Sequence, residues 1–348
     1  MRKEAILTVV ALSLALVPSA AAETFKARNL DGDLILVSST RESSLRGADG
    51  RRVALPLAAT ARVHSFAAAG DHWIAAAVDN AASGAQRLAL LRGTGSTRPE
   101  RLPTPGIGDA VRVREPSLLV DATGLCALAW LEGEAITRMA VRAARWVDGR
   151  WETQQTVAPP GPGSQLALSA AVLNDGSWLL AWAGFDGQDD EILWSRWSGE
   201  GWSTPARVGS DNAVPDITPH LLATRRGALL AWSRYDGNDY RVSMAHFDGS
   251  SWSEPRTVGP RGSLYPTLSE DGQQLLLLYQ KAVPRSWAVA ELDSAGHFLR
   301  QAEVATMRSE RPIIGKLSAR EIALVWIGGD QQEVASTLVW SDSQDPTR

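Results

Sequence analysis

Two short stretches of this 348-residue chain carry carboxylates at a spacing that could do chemistry. "GFDGQDDE" (184–191) and "RYDGNDY" (234–240) each set Asp-Gly-x-Asp after an aromatic residue. Asp186 and Asp189 therefore return, fifty positions on, as Asp236 and Asp239, and Asp190 and Glu191 are extra acids in the first copy. Hard cations such as Ca²⁺ take several oxygen ligands from a tight, glycine-bent loop. Asp186, Asp189, Asp190, Asp236 and Asp239 are thus candidate metal ligands, with Ca²⁺ the one cofactor considered. The same pattern also makes an ordinary turn, and neither copy has the full ligand series of a calcium loop. Both readings stand.

A second set stands beside prolines. Arg114 and Glu115 precede Pro116, Asp216 lies near Pro219, Tyr265 precedes Pro266, and Arg311 precedes Pro312. Arg234 and Tyr235 open the second acidic stretch. Guanidinium groups bind carboxylates through paired, charge-assisted hydrogen bonds, so Arg114, Glu115, Arg234, Tyr235, Tyr265 and Arg311 are candidate ligand-binding residues. Other enzyme signatures are missing. His64, His72, His220, His246 and His297 form no i, i+4 pair for zinc, and no nucleophile elbow or phosphate loop is present.

The elements that position these residues are written as a repeat. A short apolar run ending in an aromatic recurs as "ALAW" (to Trp130), "LLAW" (to Trp182 and to Trp232), "LLLY" (to Tyr279) and "ALVW" (to Trp326). Degenerate copies end at Val37 and Val78, which makes seven units. Glycine turns precede most runs, as tight hairpins require, and several first strands open on Pro116, Pro219, Pro266 or Pro312. After each run comes a polar loop and an alternating strand such as "EILWSRW" (191–197). A last strand then opens on Trp151, Trp202 or Trp252 and holds an aliphatic six residues on, at Val157, Val208 or Val258. The unit is a four-stranded antiparallel meander of about 50 residues. Seven such units predict an all-β fold, a β-propeller of seven blades, with six as the alternative. Loops ahead of first strands and between second and third strands share one face, where ligand contacts are expected.

The ends and the composition set the context. "MRK", the apolar "AILTVVALSLALV" and the small residues of "PSAAAE" read as a signal peptide over 1–22. The single propeller domain is then 23–340, followed by a tail at 341–348. The expected location is periplasmic or secreted, without a membrane span. Cys126 is the one cysteine, so packing rather than disulfides must hold the fold. A formal net charge of −4 argues against nucleic acid as a partner. A monomer binding a carbohydrate or protein is expected.

The stretches "SRWSGEGW" (195–202) and "MAHFDGSSW" (244–252) resemble degenerate Asp-box (BNR) repeats of sialidase-like propellers, in which Ser-x-Asp-x-Gly-x-Thr-Trp joins the third and fourth strands. Ser195, Gly199 and Trp202 fit that frame, Trp197 stands where the aspartate belongs, and Asp248 is one place late. The blade "DDEILWSRWSGEGW" is also similar to fucose-lectin-type propellers, which bind sugar between blades with an Arg, a Glu and an aromatic. No such trio repeats here at fixed spacing. The sialidase resemblance implies three arginines clamping a carboxylate, with Arg114, Arg234 and Arg311 as the available set, a Tyr–Glu nucleophile pair and an acid. No Tyr–Glu pair shows in the sequence. The expectation is therefore an exported, non-catalytic propeller that binds carbohydrate or protein through its loop-rich face. A sialidase-like glycoside hydrolase and an envelope scaffold are the alternatives.

Overall fold

The computed structural model describes residues 23–29, 32–38, 43–46, 51–58, 61–69, 72–80, 86–95, 97–108, 111–121, 124–271, 274–293, 295–304, 313–316, 321–327 and 333–339. The expected leader at 1–22, Arg311, Pro312 and the tail at 341–348 lie outside them. The described residues contain no helix, and seven antiparallel sheets follow one another along the chain. Five have four strands in chain order, the third splits its outermost strand in two, and the seventh shows three. First strands are Glu23–Asn29, Arg62–Ala69, Arg112–Asp121, Gln165–Val172, Asp216–Thr224, Ser263–Asp271 and Ile313–Lys316. Each lies beside the first strand of the next sheet, and Ile313–Lys316 also neighbours Glu23–Asn29.

All seven apolar runs fall on second strands, including Gly124–Gly133, Trp178–Phe185, Gly227–Tyr235 and Gln274–Lys281. Side chains alternate across a strand, and in the second strands of sheets two to six both faces are buried. Leu180 and Trp182 pack with Ala129 and Leu131 of the third sheet. Leu179, Ala181 and Ala183 pack with Leu230 and Trp232 of the fifth. The aromatics ending four of these runs are sealed: Trp130, Trp182 and Trp232 are 0 % exposed and Tyr279 is 1 %. A buried Trp withdraws roughly 150–250 Å² from water, worth about 4–6 kcal/mol at ~25 cal/mol per Å².

The prolines do not open their strands. Pro116, Pro219 and Pro266 sit inside them, at bulges where two residues oppose one. Glu115 and Pro116 oppose Trp130 alone, Thr218 and Pro219 oppose Trp232, and Tyr265 and Pro266 oppose Tyr279. Ala167 and Leu168 do the same opposite Trp182. The first residue of each bulge is left-handed, with φ of 50° at Glu115, 53° at Ala167, 55° at Thr218 and 52° at Tyr265. Such a conformation costs a non-glycine residue roughly 1–3 kcal/mol. Proline is tolerated next to it because the bulged position needs no ladder donor.

In or just past each bulge, a backbone N–H is satisfied by a side chain of the preceding sheet. Leu118 N donates to Ser65 Oγ (3.1 Å), Leu168 N to Glu115 Oε2 (2.8 Å), Leu221 N to Ser169 Oγ (2.9 Å) and Leu268 N to His220 Nδ1 (3.2 Å). The same device thus joins sheets two through six in series.

The outermost strands also depart from expectation. Trp202 and Trp252 make single bridges to Trp197 and Phe247. The chain then breaks from the ladder and resumes at Ala206–Arg207 and Arg256–Thr257. Pro205 and Pro255, which lack N–H donors, stand in the gaps. These Trp are half-buried, whereas Val208 is 1 % exposed. Cys126 is half-buried, and burial, reinforced by Asp121, pushes its thiol up to about 11, which leaves it unreactive at neutral pH.

Burial pushes Glu115 above the usual carboxyl range, against the opposing pull of the Leu168 N–H and the Arg114 charge. A raised carboxyl contributes stability below its ordinary pKa, and that stability is lost as pH rises through the folded value. Glu115→Gln keeps an acceptor for Leu168 N without a charge. Its melting temperature should match wild type near pH 4 and exceed it at pH 8, as followed by thermal denaturation across that range.

Candidate functional site

The acidic loop of the fourth sheet is first of all a turn. Asp186 Oδ1 accepts the N–H groups of Gln188 (2.8 Å) and Asp189 (3.3 Å), and Asp186 N donates to Asp189 O (3.0 Å). Asp186 Oδ2 pairs with Arg207 Nη2 at 2.8 Å, and Arg207 Nη1 reaches Asp211 at 2.5 Å. The loop then folds its remaining acids inward. Asp189 is 7 % exposed and Glu191 is 1 %. One carboxylate oxygen each from Asp186, Asp189 and Glu191 lie within 4.8 Å of one another.

The connector to the fifth sheet closes over this cluster. Asn212 N donates to Glu191 Oε1 (3.2 Å), and its Nδ2 donates to Glu191 Oε2 (3.4 Å) and Asp216 Oδ2 (3.2 Å). Burial, then the charges of Asp186, Asp216, Asp211 and Asp190, pushes Asp189 up to about 6. Burial lifts Glu191 to about 7 against the Asn212 N–H, and burial with the Asp186 charge lifts Asp190 to about 6. The cluster is an electrostatic well that favours an added positive charge.

The twin loop one sheet on repeats the turn but not the cluster. Asp236 Oδ1 accepts from Asn238 N (3.0 Å) and Asp239 N (2.9 Å), its Oδ2 stands 3.1 Å from Arg241 Nε, and these N–H groups hold its carboxyl low. Asp236 is exposed. Of the five expected metal ligands, the fold gathers Asp186 and Asp189 and adds Glu191. Asp190 lies beside them, and Asp236 and Asp239 stay in their own turn. Tyr235 packs on Tyr240 at 5.2 Å between ring centres, and burial, then the charge of Asp190 and the neighbouring Tyr265 and Tyr235, pushes Tyr240 up to about 12.

Of the expected arginines, the two described ones, Arg114 and Arg234, are not gathered. Asp216, 1 % exposed, holds Arg234 through Nε (2.8 Å) and Nη2 (2.6 Å) and also accepts the Trp232 indole N–H (2.9 Å). Arg114 sits two sheets away in the third sheet, and Arg311 lies outside the described residues. Glu115 and Tyr265 are the bulge residues already met. Arg234 is therefore part of the packing around Trp232. The same role is served in the third sheet by Glu132, on the second strand itself, which accepts from Trp130 Nε1 at 3.0 Å, and in the fourth by Gln165, which accepts from Trp182 Nε1 at 2.6 Å.

A recess lies between sheets two and three, at the opposite rim. It has a volume of about 620 Å³, and its walls include Trp73, Trp146, His72, Arg92, Arg98 and Glu100. Arg92 pairs with Glu100 at 3.1 Å, and the Trp146 ring is braced edge-on by Trp151 at 4.9 Å. Sequence reasoning missed this recess, along with Glu191, Arg207 and Asn212 as partners. The one local signal was the acid and amide content of "SDNAVPD" (210–216) beside the doubled acid at 190–191.

Successive four-stranded antiparallel sheets, joined through their first strands and buried on both faces, define a β-propeller fold. No family model and no curated protein sequence matches the chain. Solved structures do. The chain is similar to the six-bladed fucose-recognising lectin of the fungus Aleuria aurantia at 12 % identity and a TM-score of 0.53, covering 84 % of this chain and 97 % of the lectin. It is similar to the polysaccharide lyase Uly1 at 11 % identity and a TM-score of 0.56, covering 94 % and 91 %. It is also similar to a puromycin-hydrolysing peptidase of Mycobacterium tuberculosis at 15 % identity and a TM-score of 0.54 over 88 % of this chain, and it spans about half (51 %) of that protein's length. At these identities the likeness is one of fold.

Asp216→Ala should strand both the Arg234 guanidinium and the Trp232 indole N–H. Losing one member of a buried pair costs about 3–5 kcal/mol, and Arg234 keeps a quarter of its side chain exposed. We expect a loss near 3 kcal/mol in urea unfolding, and a smaller one for Asp216→Asn.

Proposed function

We propose that the chain is exported after removal of residues 1–22 and acts as a monomeric, seven-bladed β-propeller that binds carbohydrate without turning it over. The blade count rests on the seven sheets. Ring closure is supported by the position of Ile313–Lys316 between Ser263–Asp271 and Glu23–Asn29.

The observation that carries the binding reading is the recess between the second and third sheets. Sugars offer apolar C–H faces and a fringe of hydroxyls, and a site for them needs an aromatic plane beside polar groups. Trp146 supplies the plane, and His72, Arg92, Arg98 and Glu100 supply the polar groups. Similarity to a lectin and to a polysaccharide lyase agrees with this reading at the level of fold. A sialidase-like hydrolase would need Arg234 for its carboxylate clamp, and that guanidinium is engaged by Asp216.

Glycan-array screening of the mature protein, followed by titration of any retained sugar, tests the proposal. Trp146→Ala should weaken binding at least about tenfold, or ~1.4 kcal/mol, and Arg92→Ala, which removes an exposed guanidinium, should act in the same direction while melting like wild type. Retention of no glycan, or affinities unmoved by either change, would sink the carbohydrate reading.

A further inference from the structure

We propose that Asp186, Asp189 and Glu191 form a binding site for one hard divalent cation, Ca²⁺ first among them, at the rim between the fourth and fifth sheets. The carboxylate cluster alone would be only a charged turn. What distinguishes it is Asp189: the residue is 93 % buried, both of its carboxylate oxygens are shielded from solvent, and neither has a hydrogen-bond partner. Burying a carboxylate unpaired is among the more costly things a fold can do, and a structure keeps one only where something else compensates it.

The surrounding groups supply no such compensation within the protein. Arg207 is committed to Asp186 and Asp211, and Arg234 to Asp216. Around Asp189 the other charges are the carboxylates of Asp186, Asp190, Asp211 and Asp216, with Glu191 completing the cluster. The two guanidiniums leave the group strongly negative. Asp186 uses three lone pairs, on Gln188 N, Asp189 N and Arg207, and Glu191 accepts two bonds from Asn212. A carboxylate offers about four lone pairs, so both retain capacity toward Asp189.

The donor set selects the class of ion. It is all oxygen, with no imidazole or thiolate, which disfavours Zn²⁺ and Cu²⁺ and suits Ca²⁺ or Mg²⁺. Three carboxylates on a loop and an adjoining strand end make a site of adjustable size, which Ca²⁺ accepts more readily than Mg²⁺ because its coordination is larger and less rigid. Water would complete the shell. The twin loop shares the turn and the arginine pairing but not the buried cluster: Asp236 is exposed, and among the described residues no group of three acids gathers there. The site is therefore a property of one blade and not of the repeat. It is separate from the carbohydrate recess and stands or falls without it.

Calorimetric titration of the chelator-stripped mature protein with CaCl₂, with Tb³⁺ luminescence as a second readout, tests the assignment. Wild type should bind one Ca²⁺ with a Kd of about 10⁻³ M or tighter and melt at a higher temperature in its presence. Asp189→Asn should weaken binding at least about tenfold while folding normally, because it removes a buried repulsive charge. Glu191→Gln supplies the same comparison should the first variant fail to fold. Asp239→Asn, in the twin loop, should bind as wild type does. A folded wild type giving no saturable signal with Ca²⁺, Mg²⁺ or Mn²⁺ would overturn the proposal. So would Asp189→Asn and Glu191→Gln proteins that bind like wild type, or an equal loss in Asp239→Asn.

Discussion

The structure turns on one local irregularity set opposite one buried ring. In sheets three to six the first strand carries a two-residue bulge facing a single aromatic, Trp130, Trp182, Trp232 or Tyr279. The bulge breaks the ladder where the largest side chain of the second strand must be enclosed, and it aims N–H groups in or just past it out of their own sheet. Those groups find acceptors on the sheet before. Apolar second strands can bury both faces only between two neighbours. Packing and hydrogen bonding therefore place the same demand: no sheet is complete without the ones beside it.

The rim chemistry follows from this arrangement. A Trp sealed at the end of a second strand still has an indole N–H to satisfy, and the partner comes from an adjacent polar residue, Glu132, Gln165 or Asp216. In the fifth sheet that partner is a buried acid, which draws in Arg234 and Asn212 and so organises the connector across the fourth blade's acidic loop. The acidic cluster is thus an extension of the way one Trp is capped, elaborated in a single blade.

How much of this was legible in the sequence depends on the range of the interaction. The repeat and its strand order were, because the "LLAW" runs and glycine turns are local signals with a fixed period. Pro116, Pro219 and Pro266 were visible but misplaced, since a proline inside a bulge and one at a strand start look alike without the partner strand. The break after Trp202 was equally hidden, although Pro205 marks it. The cluster joins Asp186 and Asp189 to Glu191, Asn212 and Asp216, a span of thirty residues across a connector, and no period links them. The recess takes one wall from the second sheet, whose apolar run is a degenerate copy, where pattern matching has least to hold.

The broken outer strands carry a consequence for how copies of this molecule meet one another. An exposed sheet edge with a continuous row of unpaired backbone groups invites a second molecule to extend it, which is how soluble β proteins begin to form fibres. Here the outermost strands of the fourth and fifth sheets are only two residues long and follow prolines at 205 and 255. A neighbour docking edge to edge would find too few donors and acceptors to continue a ladder. In these two blades, the interruption that spoils the regularity of the sheet also removes the template for such an extension.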